Sequence, residues 1–290
     1  MPSKKDLHEV VIDALRLLGQ GHLPELRLGS PKRRLVAASG NAMAAGKIIF
    51  ADEDAVFADE GQYRRAIERI PGVDGAAVIS ASGQKDASSI VGFLKDKVET
   101  YLLTCNGDSA AAQLLPQDHV VVTPRNPEPI TYNTSTYLGM ILAKTGEAVE
   151  PIAEHIEREV APRIPSDLSK YSAFYLIIEP EFDLVREMLV TKFDELFGPM
   201  LTGRCYTWRQ TLHAKNVVPS ERELFISFGY DNELFGHEDA RLNIPLPPNA
   251  GYAAMVAVGY YVIGRIQSQF SPWFKWNADR YELWQKKHLP

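Results

Sequence analysis

Several things are scarce in this chain, and each shortage removes a class of function. Only two cysteines occur in 290 residues, Cys105 and Cys205, with no CxxC pair. That excludes a disulfide framework and a cysteine zinc site, and it fits a reducing compartment. The seven histidines show no metal-binding spacing such as HExxH. GxxxxGK[ST] and GxSxG are also absent. The run from Gly40 to Gly46, GNAMAAG, is not GxGxxG, so no dinucleotide site is expected. No apolar run approaches the ~20 residues of a membrane span. The N-terminal MPSKKDLHEVVIDALRLLGQG carries acidic residues inside its apolar pattern, which reads as an amphipathic helix rather than a signal peptide. Positive charge is not in excess either: the net charge is −6 and is spread along the chain. Nucleic acid is therefore not an expected partner, nor is a membrane. The expectation is a soluble cytoplasmic protein.

What is present is ordinary globular composition, 45% hydrophobic and 23% charged, with alternating strand and helix signals. Helical spacing of Val10, Val11, Ala14, Leu15 and Leu18 stops at Gly19 and Gly21. Short apolar runs at 35–38, 54–59, 76–80, 100–104 and 119–123 read as strands. Helices are expected at 41–50, 62–70, 87–97, 109–115 and 134–144. A second series follows: helix 149–160, a proline boundary at 162–165, strand 175–178, helix 183–197, strand 224–228, and helices 250–267 and 279–287. Short continuous apolar strands between helices predict parallel sheets covered on both faces. The fold class is therefore α/β, with residues 1–34 as an N-terminal helix and loop and α/β domains over 35–150 and 151–290. The repeat between the halves lies in element order, without strong identity.

One junction stands out. VISASGQKDASS, Val78 to Ser89, runs from an apolar strand through serines, a glycine and a lysine into a helix. In an open parallel sheet, ligands collect beyond the carboxyl ends of the strands. A helix starting there points unpaired N–H groups and a positive dipole end at the crevice. Ser80, Ser82 and Ser88 add hydroxyls, Gly83 allows close backbone approach, and Lys85 adds a full charge. Together they form a seat for phosphate or a similar oxyanion. A polar turn with Ser82 as helix N-cap accounts for the same residues.

The stretch Ser80-Ala81-Ser82-Gly83-Gln84-Lys85-Asp86-Ala87-Ser88 resembles the phosphate loop of the sugar isomerase (SIS) domain family, usually Ser-x-Ser-Gly-x-Thr-x-x-Thr. Upstream, AASGNAMAAGK resembles the family's first strand-turn-helix, with Gly40 at its glycine. Downstream, LLTCNGDSAAAQLLPQDHVVV is similar to its T-N-x-x-S-x-L-A-x-x-A-D segment, through Thr104, Asn106, Ser109 and Asp118. Glu128 followed by Thr134 resembles its E-x-x-x-x-x-T helix entry. Two departures matter: the family serine of the first turn appears as Ala42, and the loop threonine as Lys85. One hydroxyl is lost and one cation gained, which suits phosphate and leaves a sulfonate open.

The resemblance implies two SIS-type three-layer αβα subdomains with parallel, flavodoxin-like sheets, and the chemistry of the phosphoglucose/phosphomannose isomerases. These interconvert aldose and ketose by ring opening and an enediolate, without metal or cofactor. RQTLHAKNVVPSERELFISFG is similar to the family's E-L-K-H-G segment, placing His213 on the ring-opening histidine and Gln210 on the preceding glutamate. That histidine serves a neighbouring subunit's site, which implies a homodimer or higher with a shared active site. The family base falls on Glu195, beside Asp194, with an interval to His213 slightly longer than usual. The closing lysine falls on Lys286, with Lys287 next to it. Gly40, Asn41, Glu128, Thr134 and Gln210 complete the candidate sugar contacts. Trp273, Phe274 and Trp276 are expected to pack. Two further functions remain open on the same fold: a fructosamine-type deglycase, and a non-catalytic sugar-phosphate-binding regulator, for which Ala42, Lys85 and Gln210 speak.

Overall fold

The computed structural model describes residues 4–21, 23–129, 131–214, 218–270 and 273–288, without the side chains at 214, 282, 285, 286 and 288. The chain divides into two compact units, Leu17–Asn126 with Asn133–Gly146, and Met1–Arg16 with Pro127–Tyr132 and Glu147–Pro290. The first helix, α1 (Leu7–Gln20), buries Leu7, Val10, Val11, Ala14, Leu15 and Leu18, the stripe that its 3.6-residue spacing predicts.

In the first-named unit, β1 (Arg34–Ala37), β2 (Ala55–Ala58), β3 (Gly75–Ile79), β4 (Glu99–Thr104) and β5 (Val120–Val122) form one parallel sheet. The order is β2-β1-β3-β4-β5, the flavodoxin-like arrangement. Its helices are α2 (Asn41–Ile49), α3 (Tyr63–Arg69), α4 (Asp86–Leu94) and α5 (Thr134–Thr145). Strands β1 and β3 are buried throughout, which is why they read as unbroken apolar runs. Leu35, Ala37, Ala76 and Val78 pack with Ile90, Val91 and Leu94 on one side of the sheet. The helix expected over 109–115 is a single 3₁₀ turn, Ala112–Leu114.

The other unit contains β6 (Ala173–Ile178), β7 (Thr202–Thr207), β8 (Glu223–Phe228) and β9 (Arg241–Ile244), all parallel, in the order β7-β6-β8-β9. This is the same winding with one strand fewer, so the repeat in element order is a repeat of topology. Its helices are α6 (Val149–His155), α7 (Arg186–Phe197), α8 (Trp208–Ala214), α9 (Tyr252–Gln267) and α10 (Trp273–His288). Strands β7 and β9 have no counterpart in the apolar pattern. Both are edge strands, TGRCYT and RLNI, and neither is buried throughout. The helix expected at 149–160 breaks from α into a π turn at Ile156–Val160. No helix among the described residues is long and apolar enough to cross a membrane.

Two contacts fix α9, which is almost wholly buried. The Glu147 carboxylate accepts from the N–H groups of Gly251 (2.8 Å), Ala253 (2.8 Å) and Ala254 (3.0 Å), satisfying the donors that a helix start leaves over. At the other end, α1 crosses so closely that a Cβ on Gly264 would lie 2.0 Å from the backbone nitrogen of His8. Backbone cannot rotate away as a side chain can. The expected result for Gly264→Ala is a loss of about 1–3 kcal/mol in urea unfolding; unchanged stability would show that α1 does not pack there.

Candidate functional site

The order of the five-stranded sheet reverses between β1 and β3, so the loops leaving these two strands part and open a crevice. A cavity of 200 Å³ lies there, lined by Ser39 after β1 and by Ser80, Ser82, Gln84, Lys85 and Asp86 after β3. Four of the sequence-predicted anion residues meet in this loop. Ser80 Oγ accepts from Gly83 N at 3.2 Å, and Ser82 Oγ from Gln84 N at 3.4 Å. Gly83 has φ +63°, and a Cβ there would lie 2.2 Å from Ser109 Oγ, so glycine is required by both conformation and space. Ser88, half-buried, sits in the first turn of α4.

Lys85 occupies the N-cap position of α4, with φ 45° and ψ −112° and no side-chain cap. A non-glycine residue there is strained, and such strain persists only where surroundings impose it. The surroundings are visible. Thr104 Oγ1 donates to Ala81 O (3.0 Å), Asn106 Nδ2 to Ser82 O (3.2 Å), and Ala111 N to Gly83 O (3.0 Å). The segment after β4 thus clamps the loop after β3. The Lys85 side chain is exposed and makes no hydrogen bond or ion pair with any described residue. Across the crevice, Gly40 caps α2 at φ 52° and ψ −129°, with nothing within 4 Å of a would-be Cβ. Asn41 is buried, and its Oδ1 has no hydrogen-bond partner among the described residues. Thr134 is the buried first residue of α5.

The matching crevice of the four-stranded sheet, between β6 and β8, is of different character. Glu179 follows β6 and accepts from Trp208 Nε1 at 2.9 Å. Thr207 and Gln210 form a reciprocal capping box at the start of α8: Gln210 N donates to Thr207 Oγ1 (3.2 Å) and Thr207 N to Gln210 Oε1 (3.0 Å). Gln210 Nε2 also donates to Asp183 Oδ1 at 3.0 Å. His213, on the same helix, is exposed.

Glu195 lies near the end of α7 and is held by a residue the motif reading passed over. Lys192, one turn earlier, has a fully buried side chain and donates to Glu195 Oε2 (2.5 Å), Thr131 O (2.8 Å) and Tyr132 O (3.0 Å). All three ammonium protons are thereby used. Burial pushes the Lys192 ammonium down and the Glu195 carboxyl up, each against the attraction of the other. Glu128, half-buried, adds negative charge that favours the ammonium. Thr131, whose carbonyl receives the ammonium, has φ +74°, an outlier for a β-branched residue. Helical spacing held the signal for Lys192: it shares a face with Val185, Met188, Leu189, Phe193 and Leu196, all buried. Nothing in the sequence marks Thr131.

Glu195 opens on a cavity of 560 Å³ whose wall is aromatic, with Trp273, Phe274, Tyr281 and Trp284 from α10. Phe274 packs on Tyr132 with ring centroids 5.1 Å apart. Trp276, expected to pack, is instead 69% exposed. Lys286 belongs to α10, but its side chain lies outside the described residues. Among the described residues no cluster of His, Cys, Asp and Glu is placed to hold a metal ion.

No family model matches the sequence, and no curated protein matches it. Solved structures do match over nearly the whole chain. The C-terminal domain of glucosamine-fructose-6-phosphate aminotransferase from Francisella tularensis superposes with TM-score 0.63 at 13% identity, covering 93% of each chain. Glucosamine-6-phosphate deaminase from Thermotoga maritima gives 0.63 at 16%, covering 92% of this chain and 96% of that one. The fold is the same. Tagatose-6-phosphate ketose/aldose isomerase from Escherichia coli gives 0.58 at 14%, covering 92% and 91%. Identities this low speak for architecture, and the chemistry has to be argued from the residues above.

The buried pair makes a direct test. Glu195→Leu leaves the Lys192 ammonium buried with carbonyl partners alone, and a loss of about 3–5 kcal/mol in urea unfolding at pH 7 is expected. The double change Lys192→Met with Glu195→Leu should recover most of that loss. If the double variant is no more stable than the single one, the two side chains are not coupled.

Proposed function

We propose that this chain is an aldose–ketose isomerase acting on an anionic sugar, with a hexose 6-phosphate as its simplest substrate. The observation that carries the reading is Lys85, unpaired among the described residues at the β1/β3 crevice, beside Ser80, Ser82, Ser88 and the start of α4, which no side chain caps. A lysine without a carboxylate partner, forced into a strained backbone position at the mouth of a parallel sheet, suits a ligand that brings its own negative charge. The similar solved structures, named for work on sugar 6-phosphates, support the same substrate class.

The isomerisation itself needs a base for the C1/C2 proton, and Glu195 is our candidate. A carboxyl raised by burial is matched to a carbon acid better than a solvated one. Lys192 beside it disperses the charge that develops as the proton moves. His213 would open the ring. Its exposure suits a group offered to a second copy in a homodimer. Lys286 keeps the closing role that the resemblance implies, and Gly40, Asn41, Glu128, Thr134 and Gln210 stand as sugar contacts or their supports. No step calls for a metal or cofactor.

The decisive assay is interconversion of glucose 6-phosphate and fructose 6-phosphate in the presence of a chelator. Turnover is expected, with Glu195→Gln lowering kcat by about 10²–10⁴. Lys85→Ala should raise KM about tenfold or more through loss of a charge-assisted contact, with kcat little changed. Thermal stabilisation by these sugars without turnover would instead favour the regulator.

The pH profile tests the base separately. Glu195 acts only when deprotonated, so kcat/KM should rise with pH through a limb above the ordinary glutamate value of about 4.3. Lys192 holds that carboxyl down, so Lys192→Met should move the limb to still higher pH. A limb that stays in place in this variant would remove Glu195 from the proton transfer.

A further inference from the structure

The cavity at the end of α7 contains more chemistry than proton transfer uses. Two of its lining residues carry charges that nothing has claimed: the carboxylate of Asp194 and the guanidinium of Arg280. Both are exposed, and neither side chain pairs with the other or forms a hydrogen bond or ion pair with any described residue. The negative charge of Glu195, by contrast, is taken up by Lys192 at 2.5 Å. Asp194 stands on the last turn of α7, where the carbonyl end of the helix adds negative potential. Arg280 stands on α10, and Trp273, Tyr281 and Trp284 of that helix give the cavity its apolar wall.

A cation seat, an anion seat and an aromatic wall in one cavity are the complement of one small-molecule class. We propose that this cavity receives an α-amino acid with an apolar side chain, its ammonium on Asp194, its carboxylate on the Arg280 fork, and its side chain against the aromatic rings. A simple organic cation would meet Arg280 as a like charge, and a simple anion would meet Asp194. Only a zwitterion meets both seats with opposite charge, and the aromatic wall then selects the apolar side chain. A free amino acid and the amino-acid end of a sugar–amine conjugate present this same group. The inference goes beyond isomerisation and does not depend on it, since occupancy of the cavity requires no turnover.

Calorimetric titration of the full chain separates the outcomes. The probes are L-phenylalanine, N-(1-deoxyfructosyl)-L-phenylalanine, phenethylamine and 3-phenylpropionate. Saturable binding is expected for at least one of the first two, about tenfold or more tighter than for either single-charge analogue. Binding of the free amino acid identifies that source, and binding of the conjugate alone identifies the other. Asp194→Asn and Arg280→Gln should each weaken binding about tenfold without lowering the melting temperature, because both side chains are exposed. The inference is overturned if neither amino-acid probe binds up to ~10 mM. Single-charge analogues that bind equally well would also overturn it, as would variants that bind like the parent. Running the aldose–ketose assay on the same samples keeps the two proposals apart, since either can fail alone.

Discussion

A helix that begins at the carboxyl edge of a parallel sheet starts with N–H groups that no carbonyl of its own can reach. How each start is resolved decides where backbone donors are left for something else to meet. The start of α9 is closed by Glu147, whose two oxygens accept three backbone donors. The start of α8 is closed by the Thr207–Gln210 box. The start of α4 has no side-chain cap, and the residue in the cap position is a strained lysine. An intact helix dipole and an unpaired cation therefore face the same crevice.

The loop that makes this opening is rigid for reasons outside itself. Its carbonyls are held by Thr104, Asn106 and Ala111 from the segment after β4, and Ser109 fills the space that a side chain at Gly83 would need. Preorganisation of this kind lowers the ordering cost of binding a small anion. In the other unit the organising feature is a buried ammonium. Lys192 stays inside an apolar helix face because two carbonyls and Glu195 receive its protons, and the positive φ of Thr131 accompanies one of those carbonyls. Removing water from the pair lowers the ammonium and raises the carboxyl, so its charged and neutral forms lie closer in energy than they would in water.

Much of the fold was legible because burial on both sides writes itself as an apolar run. Strands β1, β3, β6 and β8 were found in this way. Strands β7 and β9 were not, since TGRCYT and RLNI break their apolar residues with polar ones, whereas the edge strands β2 and β5 keep the apolar runs AVFA and VVV. The loop between β3 and α4 was legible through the density of small hydroxyl residues and one glycine at a strand–helix junction. Lys192 carried a signal in its helical spacing, but its role was not legible, because a lysine on an apolar face looks like a solvated charge until its three acceptors are seen. Gln210 drew notice as a departure from a motif, while its bonds to Thr207 and Asp183 give it a local structural task. Asp194 and Arg280 were ordinary surface charges in the sequence, 86 positions apart by their numbering.

By itself, then, the amino-acid order determined the alternation of strands and helices, the parallel sheets that follow from it, and the loop of serines, glycine and lysine at one strand end. These are local matters of periodicity and turn chemistry, which neighbours in sequence decide. Only the tertiary structure decided which carboxylate meets the buried ammonium, which helix starts are closed, and which charges share a cavity without a partner. Lys192 and Glu195 are one helical turn apart, but Thr131, Tyr132 and the Glu147 that closes α9 come from distant parts of the chain, and the energies depend on distance and on the exclusion of water, neither of which a linear pattern contains.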